Sequence, residues 1–224
     1  WKDVDGILTT DPRVVKEAKP VPEVTYEEAQ ELAMFGAQVL HPRSMLPVRK
    51  TGTPVRVKNS YNISSPGSII VEKHSGKVPP VCAITTVKHI TLIDIVSSRM
   101  LGAAGFLAHG FNNFLKWNIS IDVIATSEVS VSLTVNTKAD LSGLITDLEQ
   151  ASQVTVKKEK AIVTIICDAA HSSAILASGF DALADEGINV QMISQGASKV
   201  NISMIVDDDE AEKTVQILHK AYFS

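Results

Sequence analysis

The chain has almost no cysteine. Its two thiols, Cys82 and Cys167, each lie in an apolar strand-like run, which points to buried free thiols rather than a disulfide framework. The six histidines are scattered and no Cys/His pair recurs at ligand spacing, so no metal site is expected. No apolar run approaches the roughly 20 residues that span a bilayer, and no charged-then-apolar leader opens the chain; no membrane partner is expected. Long basic runs are missing too, and the formal net charge is −4, which argues against a nucleic-acid partner. There is neither a Gly-rich dinucleotide loop nor a P-loop. What remains is ordinary globular usage: 224 residues, 45% hydrophobic and 21% charged, enough for one to three domains.

The chain repeats itself. Shifted by 69 residues, positions 105–135 fall on positions 174–204 without a gap. Leu107, Ala108, Gly110 and Phe111 meet Leu176, Ala177, Gly179 and Phe180; Val131, Leu133 and Val135 meet Val200, Ile202 and Met204. Matching apolar positions mean matching burial, so the two copies should share one fold. Each copy opens on a strand (residues 91–98 or 161–168). A helix follows, with apolar residues at helical spacing, and is ended by Asn118 or Gly187, residues that tolerate the left-handed conformation. Then come a hairpin and a second helix, entered at Asp140 in one copy and through Asp208, Asp209 and Glu210 in the other. Residues 154–158 add a closing strand to the first copy. The second copy ends without one, while residues 81–90 form an unassigned apolar strand ahead of the first copy. The economical arrangement lets 81–90 close the second sheet, since an uncovered apolar edge is a liability. The expected fold is α+β, with two ferredoxin-like βαββαβ units in tandem.

The first 72 residues stand outside the repeat. Thr25 and Glu28 form a capping box for a helix carrying Ala29, Leu32, Ala33 and Phe35. A second short helix follows Pro42, then two strands, and residues 73–80 read as a linker. No strand is signalled ahead of the first helix, so the segment reads as the tail of an α/β domain.

Residues 1–15 (WKDVDGILTTDPRVV) and 29–42 (AQELAMFGAQVLHP) resemble the end of the catalytic domain of aspartokinases. The phrases SRMLGAAGFLAHGF, ISIDVIATSEVSVSLT and VQMISQGASKVNIS resemble their tandem ACT regulatory domains, notably of the lysine-sensitive monofunctional type. The resemblance implies a C-terminal fragment of an α/β amino-acid-kinase domain (1–72), a first ACT domain (91–158) and a second (159–224) completed by strand 81–90. It implies a parent enzyme that phosphorylates aspartate with ATP and Mg2+, at the start of lysine, threonine and methionine synthesis. No catalytic residue is expected in this chain, because nothing like the family's Lys-Phe-Gly-Gly motif occurs in it. It further implies a cytoplasmic or, in a plant, plastid setting, and a homodimer through the ACT domains.

Two sets of site residues follow. By resemblance, Lys2, Asp3, Arg13, Gln38 and Val39 sit where the family lines its nucleotide. Arginine suits phosphate, because its fork donates two hydrogen bonds with a fixed charge. Read as residues alone, Asp11-Pro12 is a turn signal and Arg13 is free to pair with a nearby Glu. The family often has Thr at Lys2, Tyr at Leu8 and Lys at Gln38. The second set is the effector site, where an amino acid's ammonium groups need acidic partners. Asp122 interrupts an apolar strand and Glu128 lies in the turn that follows; their repeat counterparts, Gln191 and Ala197, carry no charge. Residues 100–106, rich in small side chains, precede the first helix and let a carboxylate approach a helix N-terminus. By resemblance the L-lysine site comprises Met100, Gly102, Ala103, Phe106, Leu107, Ser120, Ile121, Asp122 and Glu128. Three alternatives stay open: a stand-alone amino-acid-binding ACT module, a regulatory subunit, and a threonine-sensitive enzyme.

Overall fold

The computed structural model describes residues 1–37, 41, 44–76, 79–97, 105–138, 140–196 and 200–224. The front segment carries a three-stranded sheet in the order β1-β3-β2, built from β1 (Glu23–Thr25), β2 (Val55–Val57) and β3 (Ser68–Val71). Helix α1 (Tyr26–Met34) starts at the expected capping box: Thr25 Oγ1 accepts the Glu28 N–H at 3.2 Å, and Glu28 Oε2 accepts the Thr25 N–H at 2.7 Å. Helix α2 (Met45–Thr51) ends at Gly52. Strand β1, which the patterning does not signal, is only three residues long and runs parallel to β3. Val24 and Ile70 are fully buried at that pairing.

The repeat region forms one six-stranded sheet in the order β5-β6-β4-β7-β9-β8. It corrects one expectation. The two strands expected at 81–90 and 91–98 are a single strand, β4 (Val81–Val96), and those at 154–158 and 161–168 are a single strand, β7 (Gln153–Cys167). The first part of β4 pairs with the last part of β7 (Ala83↔Ile166 to Val87↔Ile162), and the last part of β4 with the first part of β7 (Leu92↔Lys157 to Val96↔Gln153). Strands β5 (Ile121–Thr126) and β6 (Ser130–Asn136) extend the second of these ladders; β9 (Asn201–Asp207) and β8 (Met192–Ser194) extend the first. Each half of the sheet is therefore four antiparallel strands.

Register shifts interrupt the β4–β7 ladder between the halves, and there His89 (φ 59°) and Glu159 (φ 53°) adopt left-handed conformations. Bulges of this kind bend a strand. The sheet folds over at that line: its two edge strands, about 24 Å apart in a flat sheet at ~4.8 Å per strand, are in contact. Ser194 Oγ donates to the Ile124 carbonyl at 2.8 Å. Between the folded halves, Ile90, Leu92, Val123, Ile162, Met192 and Ile205 make a buried cluster.

Helices cover the outer faces. In the first half α3 (Phe106–Lys116) and α4 (Ser142–Glu149) pack on Ile93, Val131, Leu133 and Val135. In the second, α5 (Ser172–Asp185) and α6 (Ala211–Phe223) pack on Ala161, Val163, Ile165 and Ile202. Full burial of one Leu or Ile side chain contributes about 1.5–3 kcal/mol, so each half has its own core. The halves join their helices in the same way. Trp117 lies over Gly143, where an added Cβ would come within 2.2 Å of the ring, and Tyr222 lies over Gly179, with a corresponding 2.1 Å approach of its hydroxyl. Asn118 (φ 52°) and Gly187 (φ 73°) end α3 and α5 as expected. Asp140 stands one position outside the expected cap, where its carboxylate accepts the Ser142 N–H at 3.0 Å.

The front segment docks on the second half. Ile84 N–H donates to the Thr9 carbonyl at 2.7 Å, Thr9 Oγ1 meets His219 Nε2 of α6 at 2.9 Å, and Asn201 donates to Glu31. Cys82, Ala83 and Ile166 share a cluster with Val24, Ile70 and Leu32.

Candidate functional site

A cavity of about 510 Å³ opens between the front segment and β4. Lys2, Asp3 and Arg13 all line it, together with Gly6, Leu8, Thr10 and Asp11. The structure thus brings together three of the five residues expected at the nucleotide. Gln38 and Val39 lie outside the described residues, although Gly36 and Ala37, just before them, line the cavity. Lys2 is held through its backbone, donating to the Lys58 carbonyl at 2.8 Å and accepting from Ser60 N–H at 2.7 Å. The loop is kept close to β3 by Gly6 (φ 123°), whose hydrogen faces Ser68; a Cβ there would stand 2.6 Å from Ser68 Oγ.

Arg13 does not pair with a glutamate. Its guanidinium grips Asp11, with Nη2 2.6 Å and Nε 3.1 Å from Oδ2, while its backbone N–H donates to Oδ1 at 2.8 Å. The Arg13 hydrogen bond holds the Asp11 carboxyl below its usual pKa. The Asp11-Pro12 turn is therefore real, and it also aims the Arg13 side chain, which is 84% exposed, along the cavity rim. One wall has no signal in the sequence: Ile84, Thr85 and Thr86 of β4 close the cavity from the repeat side. They are some 70 residues from Arg13, so no local pattern announces them. Gly36 (φ 108°) makes the approach possible, since a Cβ there would lie 2.4 Å from the Thr86 carbonyl. The cavity is of ligand size and offers a fixed cation, an ammonium and a carboxylate.

The second set is spread along the first half of the sheet. Met100, Gly102 and Ala103 lie outside the described residues. Phe106 and Ile121 turn partly into the core of that half, whereas Leu107 and Ser120 face outward. A small cavity of about 20 Å³ lies beside Phe106 and Leu107 between α3 and α4, room for about one water rather than an amino acid. Asp122 sits in a register shift at the start of β5, where Val123 N–H donates to Thr134 Oγ1 at 3.1 Å. Its carboxylate has no hydrogen bond or ion pair among the described residues, and desolvation by the surrounding protein raises its pKa. Glu128 is exposed in the turn beyond the other end of β5. Six residues at about 3.3 Å each place their Cα atoms up to roughly 20 Å apart along an extended chain, more than one amino acid spans. The turn that carries Glu128 is built by serine: Ser127 Oγ accepts the Ser130 N–H at 3.1 Å and meets its hydroxyl at 2.7 Å. That explains a hairpin with no Gly or Asn-Gly.

Both ends of the chain match known sequence families. Residues 1–59 match the amino acid kinase family and residues 168–222 the ACT domain. Proteins that join a kinase domain of this type to ACT regulatory domains are the class the fold defines. Aspartokinase 3, chloroplastic, of Arabidopsis thaliana is 50% identical over the whole chain, which covers 42% of that relative. The structure of E. coli aspartokinase III with aspartate and ADP (R-state) superposes with a TM-score of 0.90 at 37% identity, over all of this chain and 52% of that one; the same enzyme with lysine and aspartate (T-state) gives 0.84, over all of this chain and 51% of that one. A C-terminal regulatory domain of aspartate kinase from Porphyromonas gingivalis is 31% identical and 97% covered by 63% of this chain, with a TM-score of 0.55. The chain belongs to the aspartokinase family. It spans about half the length of the full-length relatives it matches.

Proposed function

We propose that this chain is the regulatory part of an aspartate kinase, together with one wall of that enzyme's nucleotide site, and that it binds L-lysine at its first ACT domain as a feedback inhibitor. Support comes first from Asp122, a solvent-exposed carboxylate without a partner among the described residues, whose pKa the neighbouring protein atoms raise and whose repeat counterpart is uncharged. An ammonium placed beside it would favour the charged form that desolvation opposes. The effect of a state-selective ligand is to draw the protein towards the state it binds more tightly.

The separation of Asp122 from Glu128 favours a homodimer. Strand β5 is an edge of the sheet. Two β5 strands set side by side and antiparallel bring Asp122 of one chain beside Glu128 of the other, so each ligand would meet both charges. Leu107, Phe111 and Leu115 recur every fourth residue on the outer side of α3 and stay exposed, Leu115 at 78%, an apolar stripe that a second copy would cover. We divide the chain accordingly into residues 1–72, 91–158 and 159–224, with 81–90 belonging to the last.

In the parent enzyme the γ-phosphoryl group of ATP passes to the side-chain carboxylate of aspartate, chemistry that is mostly positioning and charge neutralisation. Lys2 and Arg13 would hold phosphate oxygens and Asp3 would accept from ribose or base. Asp11 is tied up by Arg13, and the cavity has no other carboxylate than Asp3 among the described residues, so this chain offers Mg2+ little beyond what the phosphates bring. The chloroplastic relatives favour a plastid setting. Calorimetric titration with lysine tests the central claim. Binding by the parent chain and its loss in both Asp122→Ala and Glu128→Ala is the expected result; no heat from the parent, or unchanged heat from both variants, refutes it.

A further inference from the structure

One histidine, His89, meets two acids where the sheet folds over. We propose that His89, Glu159 and Asp208 form a binding site for a divalent transition-metal ion, with Zn2+ as its probe. One ligand atom from each lies within 4.8 Å of the others. His89 Nδ1 is 3.3 Å from Asp208 Oδ2 and 3.9 Å from Glu159 Oε2. Donors around a tetrahedral ion with bonds of about 2.0–2.2 Å stand some 3.3–3.6 Å apart, so the triangle needs only a small contraction.

Three elements supply it: the bend of β4, the bend of β7 and the 3₁₀ turn Asp208–Glu210 that leads into α6. Asp208 is the buried anchor. Its Oδ1 accepts the His89 backbone N–H at 2.6 Å, which turns Oδ2 towards the imidazole. His89 and Glu159 are exposed, their side chains at 70% and 71%, so an ion reaches them from solvent and water completes its shell. One imidazole nitrogen and two carboxylate oxygens suit Zn2+ better than Mg2+, which prefers all-oxygen, largely hydrated sites.

The local charge favours a dication. Glu159, Asp208 and Glu212 bring three negative charges, and Lys88 brings one positive charge, 3.9 Å from Asp208 Oδ2 and 3.4 Å from Glu212 Oε1. Lys160 is neutralised by Asp207. The ammonium of Lys88 competes for the site and has Glu212 to retreat to. A bound ion would tie both bends to the start of α6, fixing the angle between the half that carries the β5 hairpin and the half that docks on the front segment.

Chelator-treated protein is titrated with Zn2+ by calorimetry, with Mg2+ in parallel and thermal unfolding recorded for each form. His89→Asn keeps a residue that tolerates positive φ, and Glu159→Gln keeps the shape; both sites are exposed, so unchanged metal-free unfolding curves certify the fold. One Zn2+ per chain is expected, weakened about tenfold or more by each substitution and strengthened by Lys88→Gln, with a Zn2+-dependent rise in melting temperature that His89→Asn loses. Absence of saturable Zn2+ binding, or binding that neither substitution weakens, overturns the site and leaves the cluster an ion-pair brace.

Discussion

Replacing Gly36 by alanine probes the joint between the front segment and the regulatory sheet. Gly36 has φ 108°, and an added Cβ would sit 2.4 Å from the Thr86 carbonyl oxygen and 3.3 Å from its carbon. Two costs follow. The conformation itself is one that L-residues rarely adopt, at about 1–3 kcal/mol. The contact is about 1 Å short of ordinary van der Waals approach, and the obstacle is strand backbone rather than a flexible side-chain end, so overpacking adds about 1–3 kcal/mol. Together they reach about 2–6 kcal/mol, a large part of the roughly 5–15 kcal/mol that holds a typical domain. Gly52→Ala is the control. Gly52 also has positive φ (63°), but nothing lies within 4 Å of where its Cβ would stand, so only the conformational cost of about 1–2 kcal/mol applies. Urea unfolding followed by far-UV circular dichroism measures both. If Gly36→Ala costs no more than Gly52→Ala, the close packing of this turn on β4 is refuted.

Three further outcomes are expected. His219 is buried against Thr9, and burial, with the Lys19 ammonium nearby, lowers its pKa below the ordinary 6.5. The unfolded chain then takes up the proton first, so this stability is complete above about pH 6.5 and is lost as pH falls towards the folded pKa; melting temperatures from pH 7.5 to pH 5 should fall less steeply in His219→Gln than in the parent, and equal slopes would discount the contact. Asp122→Asn replaces an exposed, unpartnered carboxylate, so it should change the free chain's stability at pH 7 by no more than about 0.5 kcal/mol while abolishing lysine binding; a clearly destabilised variant, or one that still binds, contradicts the reading of Asp122 as a ligand group. Leu115→Glu on the exposed stripe of α3 should convert dimer to monomer in sedimentation velocity without lowering the monomer's stability by more than about 0.5 kcal/mol, whereas an unchanged dimer would move the interface elsewhere.

Much of this molecule is local in origin and legible as such. The alternation of Val131, Leu133 and Val135, the Thr25–Glu28 capping box and the left-handed Asn118 and Gly187 depend on residues a few positions apart, and each appears in the structure as the sequence implies, whereas Val129 falls outside β6 and is exposed. The 69-residue repeat carries more, because equal apolar positions demand equal burial, and the uncharged counterparts of Asp122 and Glu128 single out one copy. Local patterns are silent on how strands continue and bend. The sequence broken at Lys88-His89-Ile90 looks like two strands; the structure runs one strand through a bulge, because β7 bulges opposite it and the two deform together. From that fold line follow the contact of β5 with β8 and the convergence of His89, Glu159 and Asp208 across 119 positions. The wall that Ile84, Thr85 and Thr86 give the cavity is likewise a tertiary fact. Residue type and short-range spacing determined which charged groups the chain carries and on which elements; the bend of two shared strands decided which of them meet.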